Sequence, residues 1–237
     1  MDFLLRLAGR FDAIARQCGR LAAWIILPLI FIIMFDVVTR KLDVTRLWFS
    51  DLSIAWGGIS ISTIFQDLQW HFHAILMMMT FAIGYLTNAH VRVDIFRELL
   101  PKRKQAWVEF IGLLVLAIPF VVVMIEEAWQ LTSLAFGQGE GSESLTGIGK
   151  RWMIKSVVLI GFSLLMLAVL ATLFRLGAML FGTEEQGLRG NKALAIFPGD
   201  AGDLEAARLA AEAALQDEID ATELAEKLAR EKRDREQ

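Results

Sequence analysis

Four stretches of this chain are apolar for long enough to cross a lipid bilayer, which takes about 20 residues of helix. They cover residues 21–39, 68–87, 107–126 and 153–175. No other feature limits the fold as much. Over half the residues are hydrophobic (55%), and the mean hydropathy is +0.49, too apolar for an ordinary soluble domain. The expected fold is therefore all-α, an integral membrane protein with four transmembrane helices.

The first run follows Arg6, Arg10, Arg16 and Arg20. A basic start followed by an apolar run also describes a signal peptide. This run is long, ends in Asp36 and Arg40 and has no small-residue cleavage site behind it, so it reads as an uncleaved anchor. Pro28 within it is tolerated in lipid, with a slight kink. A fifth stretch, Leu47–Phe65, would just span a membrane. However, Trp48, Leu52, Ala55, Trp56 and Ile59 recur at helical spacing with Ser50, Asp51 and Ser53 between them. That pattern reads as an amphipathic helix lying in the interface between spans one and two, its tryptophans at headgroup level.

Lysine and arginine set the orientation. The N-terminus and the loop carrying Arg92, Arg97, Lys102, Arg103 and Lys104 are the two rich segments, and both are expected on the cytoplasmic side. An even number of crossings must separate them. Four spans in total satisfy this, and counting Leu47–Phe65 as a span would not. Both termini are then cytoplasmic. After the membrane domain (1–181) come a Gly- and Pro-containing linker (182–202) and a charged tail (203–237) of strong helix formers. Leu215, Ile219, Leu224 and Leu228 give that tail a thin apolar stripe, read either as a docking helix or as a solvated cytoplasmic helix.

The only histidines are His71, His73 and His90. A haem held between two imidazoles needs both at one membrane depth. His71 and His90 lie about 28 Å apart along a helix, and residues two apart, such as His71 and His73, do not face one way. The histidines, with Trp70 on one side and Arg92 and Asp94 on the other, read as the two boundaries of the second span. Asp36 and Arg40 stand four apart and are placed to pair. Lys155 starts the fourth span, where it can snorkel, and Glu126 and Glu127 close the third. An ion-coupled carrier keeps ionisable groups inside its spans, and here the span middles hold none. With one cysteine, Cys18, neither a disulfide nor a thiolate metal site is expected. No cofactor, catalytic group or nucleic-acid partner is indicated. The chain reads as a helical scaffold that needs a partner. Two other readings are a membrane anchor of a redox complex and a stand-alone four-helix protein acting through its tail.

Several motifs together resemble the small permease subunit, the DctQ-like component, of tripartite ATP-independent periplasmic (TRAP) transporters. "FDVVTRK" ends the first span. Trp70 and His71 open the second, and "HVRVD" (His90, Arg92 and Asp94 within it) closes it. "LPKRKQAWVEF" turns into the third, and "RWMIK" (Arg151, Trp152, Lys155) leads into the fourth after Glu140 and Ser142. The resemblance runs over roughly residues 25–175. It implies an inner-membrane, non-enzymatic subunit of a sodium-driven importer of an organic acid. The implied partners are a large permease subunit and a periplasmic substrate-binding protein. It also implies that Asp36, Arg40, Trp70, His71, His90, Arg92, Asp94, Arg151, Trp152 and Lys155 serve structure or the subunit interface. Trp48, Trp56, Glu140 and Ser142 are implied to face the periplasm.

Overall fold

The computed structural model describes residues 1–42, 48, 51–52, 61–89, 100–142, 147–192 and 194, and among these there are helices and no strand. The chain divides into two units, Met1–Ala195 and Ile196–Gln237. The charged tail, Trp56 and most of the Leu47–Phe65 stretch, and His90, Arg92 and Asp94 lie outside the described residues.

The helices are α1 (Asp2–Ala23), α2 (Ile26–Lys41), α3 (Ile61–Leu86), α4 (Lys102–Gly112), α5 (Ile118–Gly137), α6 (Trp152–Phe181) and α7 (Glu184–Lys192), with a π-helical turn at Leu113–Ala117 joining α4 to α5. Three apolar rods have the length and composition to cross a membrane: α1 with α2 (40 residues), α4 to α5 (36 residues) and α6 (30 residues). α3 has 26 residues, about 39 Å of helix. Gln66, Asp67, Gln69, His71 and His73 in its first half make it more polar than those three.

Two prolines explain the irregular points. Pro28 has no N–H for the Trp24 carbonyl. The backbone tightens there, so that Ile25 donates to Ala22 (2.9 Å) and Leu27 to Trp24 (3.3 Å). The expected kink is thus a two-residue break, Trp24–Ile25, one turn ahead of the proline. Pro119 likewise cannot donate to Val115, and just before it the helix widens, with Ile118 N–H reaching Leu113 O.

α6 is the central helix. It packs against α1, α3, α4, α5 and α7, and thirteen of its residues are buried, against three in α5. Its sequence is apolar all round, as a surrounded helix should be. Small residues let the backbones approach. A Cβ on Gly161 would lie 2.8 Å from Met78 Cβ and 2.9 Å from the Met78 carbonyl, and one on Gly19 would lie 2.6 Å from Ile83 Cγ2. Ala15, Ala82, Leu86, Leu164 and Ala168 form the core where α1, α3 and α6 meet.

Side-chain pairs fix the directions. Trp107 meets Phe181 edge-on at 5.3 Å, and Phe136 meets Trp152 at 5.4 Å, so α4–α5 runs antiparallel to α6 and is clasped at both ends. Phe11 lies 6.4 Å from Phe174, so the N-terminal half of α1 sits at the same end as Phe181 and Lys102. We call this the near end. The far end holds Lys41, Ile61, Gly137 and Trp152.

Three expectations change in detail. Glu126 and Glu127 do not close the third helix, which continues to Gly137 and stops at a left-handed Gly139 (φ 62°). There Glu140 N–H bonds Ala135 O and Gly139 N–H bonds Phe136 O, the paired bonds of a Schellman stop. The stretch read as a linker begins with a helix, Glu184–Lys192. The second span begins within a helix that starts at Ile61, so Phe65 belongs to the first turns of α3 and packs against Phe35 of α2 at 5.3 Å.

Candidate functional site

The ion pairs of the described bundle gather at its two ends. At the far end, Arg40 grips Asp36 with two bonds, Nε to Oδ1 at 3.0 Å and an Nη to Oδ2 at 2.7 Å. The i,i+4 spacing on α2 makes this geometry available. Gln69 of α3 donates to the same carboxylate at 3.2 Å, and Gln66, with its amide turned so that the oxygen faces Arg40, accepts from the guanidinium. Asp36 is buried (5% exposed), and three donors satisfy its charge. The cluster ties α2 to the start of α3.

A second far-end cluster ties α3 to the loop between α5 and α6. Asp67 accepts from Ser142 Oγ at 2.9 Å and from the Ile148 N–H at 2.8 Å. Gly147 passes so close that a Cβ there would lie 2.3 Å from Asp67 Oδ2. His71, one turn on, places Nδ1 2.6 Å from the Asp67 carbonyl. At the other side of the loop, Glu140 holds Lys155 in a short contact and Arg151 at 3.8 Å, and Arg151 N–H donates to the Glu140 carbonyl at 3.0 Å. A cleft of 520 Å³ opens between these groups, with Asp67, His71, Ser142 and Arg151 on its walls.

At the near end Asp12 of α1 stands between two arginines. Arg16 Nε is 3.0 Å from Oδ1, and an Arg175 Nη is 3.3 Å from Oδ2. Arg16 also reaches the Leu86 carbonyl at 3.4 Å. Arg175 is only 7% exposed, and this triad fastens α1 to α6 and to the end of α3.

Most residues singled out from the sequence that fall within the described part take places in these clusters. Asp36 pairs with Arg40 as their spacing allows, while Glu140, Ser142, Arg151 and Lys155 meet around the α5–α6 loop. Lys155, read as snorkelling, is paired instead. Trp152 caps the α5–α6 clasp, and Trp70 and Trp48 are exposed. Five partners had not been singled out. Gln66, Asp67 and Gln69 make contacts at the start of α3, and Asp12 and Arg175 form the near-end pair. Arg175 lies six residues before the end of a helix that runs on to Phe181, so the middle of this helix is free of ionisable groups while its last two turns carry a buried one. The available signals were Asp12–Arg16 at i,i+4 and a single arginine in an otherwise apolar run.

Among the described residues no group of three or more His, Cys, Asp or Glu side chains is arranged to hold a metal. The bundle offers paired charges at its two ends and apolar helix middles between them.

A family model described as "Tripartite ATP-independent periplasmic transporters, DctQ component" matches residues 29–178, well over half of the chain. The chain belongs to the DctQ family. As a DctQ component it is a small membrane subunit of a TRAP transporter and a transporter part rather than an enzyme. The DctQ match takes in α2 to most of α6, with both far-end clusters and Arg175, while α1 and α7 lie outside it. No curated protein and no solved structure matches the chain.

Proposed function

We propose that the chain is the scaffolding subunit of a sodium-driven importer of an organic acid, standing beside a large permease subunit in the bacterial inner membrane. The family match carries this reading, and the distribution of charge supports it. Residues 26–35 of α2, 74–84 of α3, 110–125 across α4 and α5, and 156–174 of α6 contain no ionisable side chain. A solute and its coupling ions need polar groups at membrane depth, so the path belongs to the partner.

We take α3 as the fourth span. It is long enough, and it packs against α1, α2 and α6. In that arrangement Arg6, Arg10, Arg16 and Arg20 gather at the near end with Lys102, Arg103 and Lys104. This agrees with a cytoplasmic near end and cytoplasmic termini, and with an interfacial helix ahead of Ile61, within residues 47–60, on the periplasmic side. Asp36, Arg40, Trp70, His71, Arg151, Trp152 and Lys155 brace the far end of the bundle. His90, Arg92 and Asp94 hold the cytoplasmic loop. Trp48, Trp56, Glu140 and Ser142 belong to the periplasmic ledge on which the substrate-binding protein docks.

The test is affinity purification of the chain from native membranes in mild detergent, followed by mass spectrometry. A stoichiometric large permease is the expected companion. Recovery of the chain alone, or with redox subunits, under conditions that keep other complexes intact would overturn the reading.

A further inference from the structure

A cleft of 580 Å³ opens at the near end between α1, the last turns of α6 and α7. Asp2, Leu5, Arg6, Gly9, Arg175 and Arg189 line it, and five of these six lie outside the stretch matched by the family model. Its volume falls in the range of about 300–1,000 Å³ usual for small-ligand sites.

The charge around it is predominantly positive, since the charged residues of the lining are three arginines and one aspartate. Arg175 and Arg16 share Asp12, and Arg189 pairs with Glu185 at 2.6 Å. Counting these neighbours, four guanidinium groups face three carboxylates. Asp2 is turned toward α7 by Gln186 Nε2, which donates to it at 3.1 Å. Among the described residues Arg6 makes no ion pair. Arg175 is more than nine-tenths buried, so the cleft floor carries a fixed guanidinium in a low-dielectric setting. Gly9 leaves open space where a side chain would otherwise stand. An excess of one positive charge, presented by forked donors, matches a phosphate ester carrying one negative charge.

We propose that this cleft binds the phosphodiester of an anionic phospholipid. The inference rests on the cytoplasmic placement of the near end proposed above, since basic pockets between helices at that face are suited to anionic headgroups. Two exposed apolar side chains flank the cleft, Phe3 beside Asp2 on α1 and Leu188 beside Arg189 on α7. They give acyl chains a surface that a free phosphate would not use.

The test uses the full chain, purified in detergent and stripped of lipid, and titrated with phosphatidylglycerol in native mass spectrometry. Phosphatidylcholine serves as the zwitterionic, net-neutral comparison and glycerol 3-phosphate as a soluble phosphate monoester. Arg6 and Arg189 are both exposed, so the Arg6→Ala/Arg189→Ala variant removes charge without disturbing the core. We expect phosphatidylglycerol adducts to exceed those of phosphatidylcholine, and the double variant to weaken them about tenfold or more. Equal retention of the two lipids, or phosphatidylglycerol binding that ignores the double variant, would overturn the proposal. Arginine-dependent binding of glycerol 3-phosphate with no lipid retention would uphold a phosphate site and overturn the membrane as its source. The measurement ignores sidedness and transport, so a negative result removes the cleft and leaves the subunit reading standing.

Discussion

Asp67 accepts two hydrogen bonds from a distant loop, one from Ser142, 75 residues later in the chain, and one from the Ile148 backbone. Charged acceptors strengthen such bonds, and losing one leaves half-buried donors behind. Asp67→Ala should therefore lower stability by about 2 kcal/mol. Asp67→Asn, which keeps one acceptor, should cost about half of that. Thermal unfolding in detergent reads both, and two unchanged midpoints would mean that something else holds the loop. At the near end, Arg175→Met leaves Asp12 with Arg16 alone. Because Asp12 is only partly buried, the cost should fall below the roughly 3–5 kcal/mol of a fully buried broken pair, at about 1–3 kcal/mol. Adding Asp12→Ala should recover part of it, and the double-mutant cycle measures the coupling. A coupling of zero would show that the two charges do not depend on each other. These contacts also mark the limit of legibility at this scale. Asp36–Arg40 is visible from spacing because a helix brings residues four apart together. Asp67–Ser142 joins a helix to a distant loop and Asp12–Arg175 joins two helices, and nothing local in either sequence context encodes the partner.

Helices packed in lipid have no polar face to declare which side meets protein. α6 is apolar on every side, so the sequence shows that it is a helix and hides that it is the centre. Its glycines are the better clue once the structure is known. Gly161→Ala would push a methyl group against the Met78 backbone, forcing α3 and α6 apart, and should cost about 1–3 kcal/mol. Gly112→Ala meets nothing within 4 Å and should be neutral or slightly stabilising. The paired measurement is again the unfolding midpoint. Equal effects of the two substitutions would locate the cost in backbone propensity rather than in helix contact. Pro28 and Pro119 were legible as irregularities, but their form was not. One yields a tight break four residues upstream and the other a wide π turn, because the neighbouring carbonyls find different donors.

For the molecule as a whole, sidedness is the expectation most open to a direct check. In a Cys18→Ser background, Gln138→Cys at the far end should react with a membrane-impermeant maleimide in cells with a permeabilised outer membrane. Lys104→Cys at the near end should stay unlabelled until the inner membrane is opened. Both side chains are exposed in the bundle. The reverse pattern would invert the topology, and labelling of both in closed cells would remove a crossing. The apolar runs made most of this architecture readable. α3 was readable as a span only through its last twenty residues, because Gln66, Asp67 and Gln69 serve the clusters at its start.

The helix on which the others converge is the last of the long ones to be translated. α1 and α2 each touch α3 before it appears, whereas α5 has its main interhelical contact with α6 alone among the described residues. A nascent chain halted before Trp152 would leave α5 lodged in the bilayer without its main helical neighbour, and Glu140 without Lys155. Helices settle in lipid first and associate afterwards, so the bundle can register its own completeness. Only a finished chain presents a closed set of helices, and a partial one offers membrane proteases a loose helix to extract.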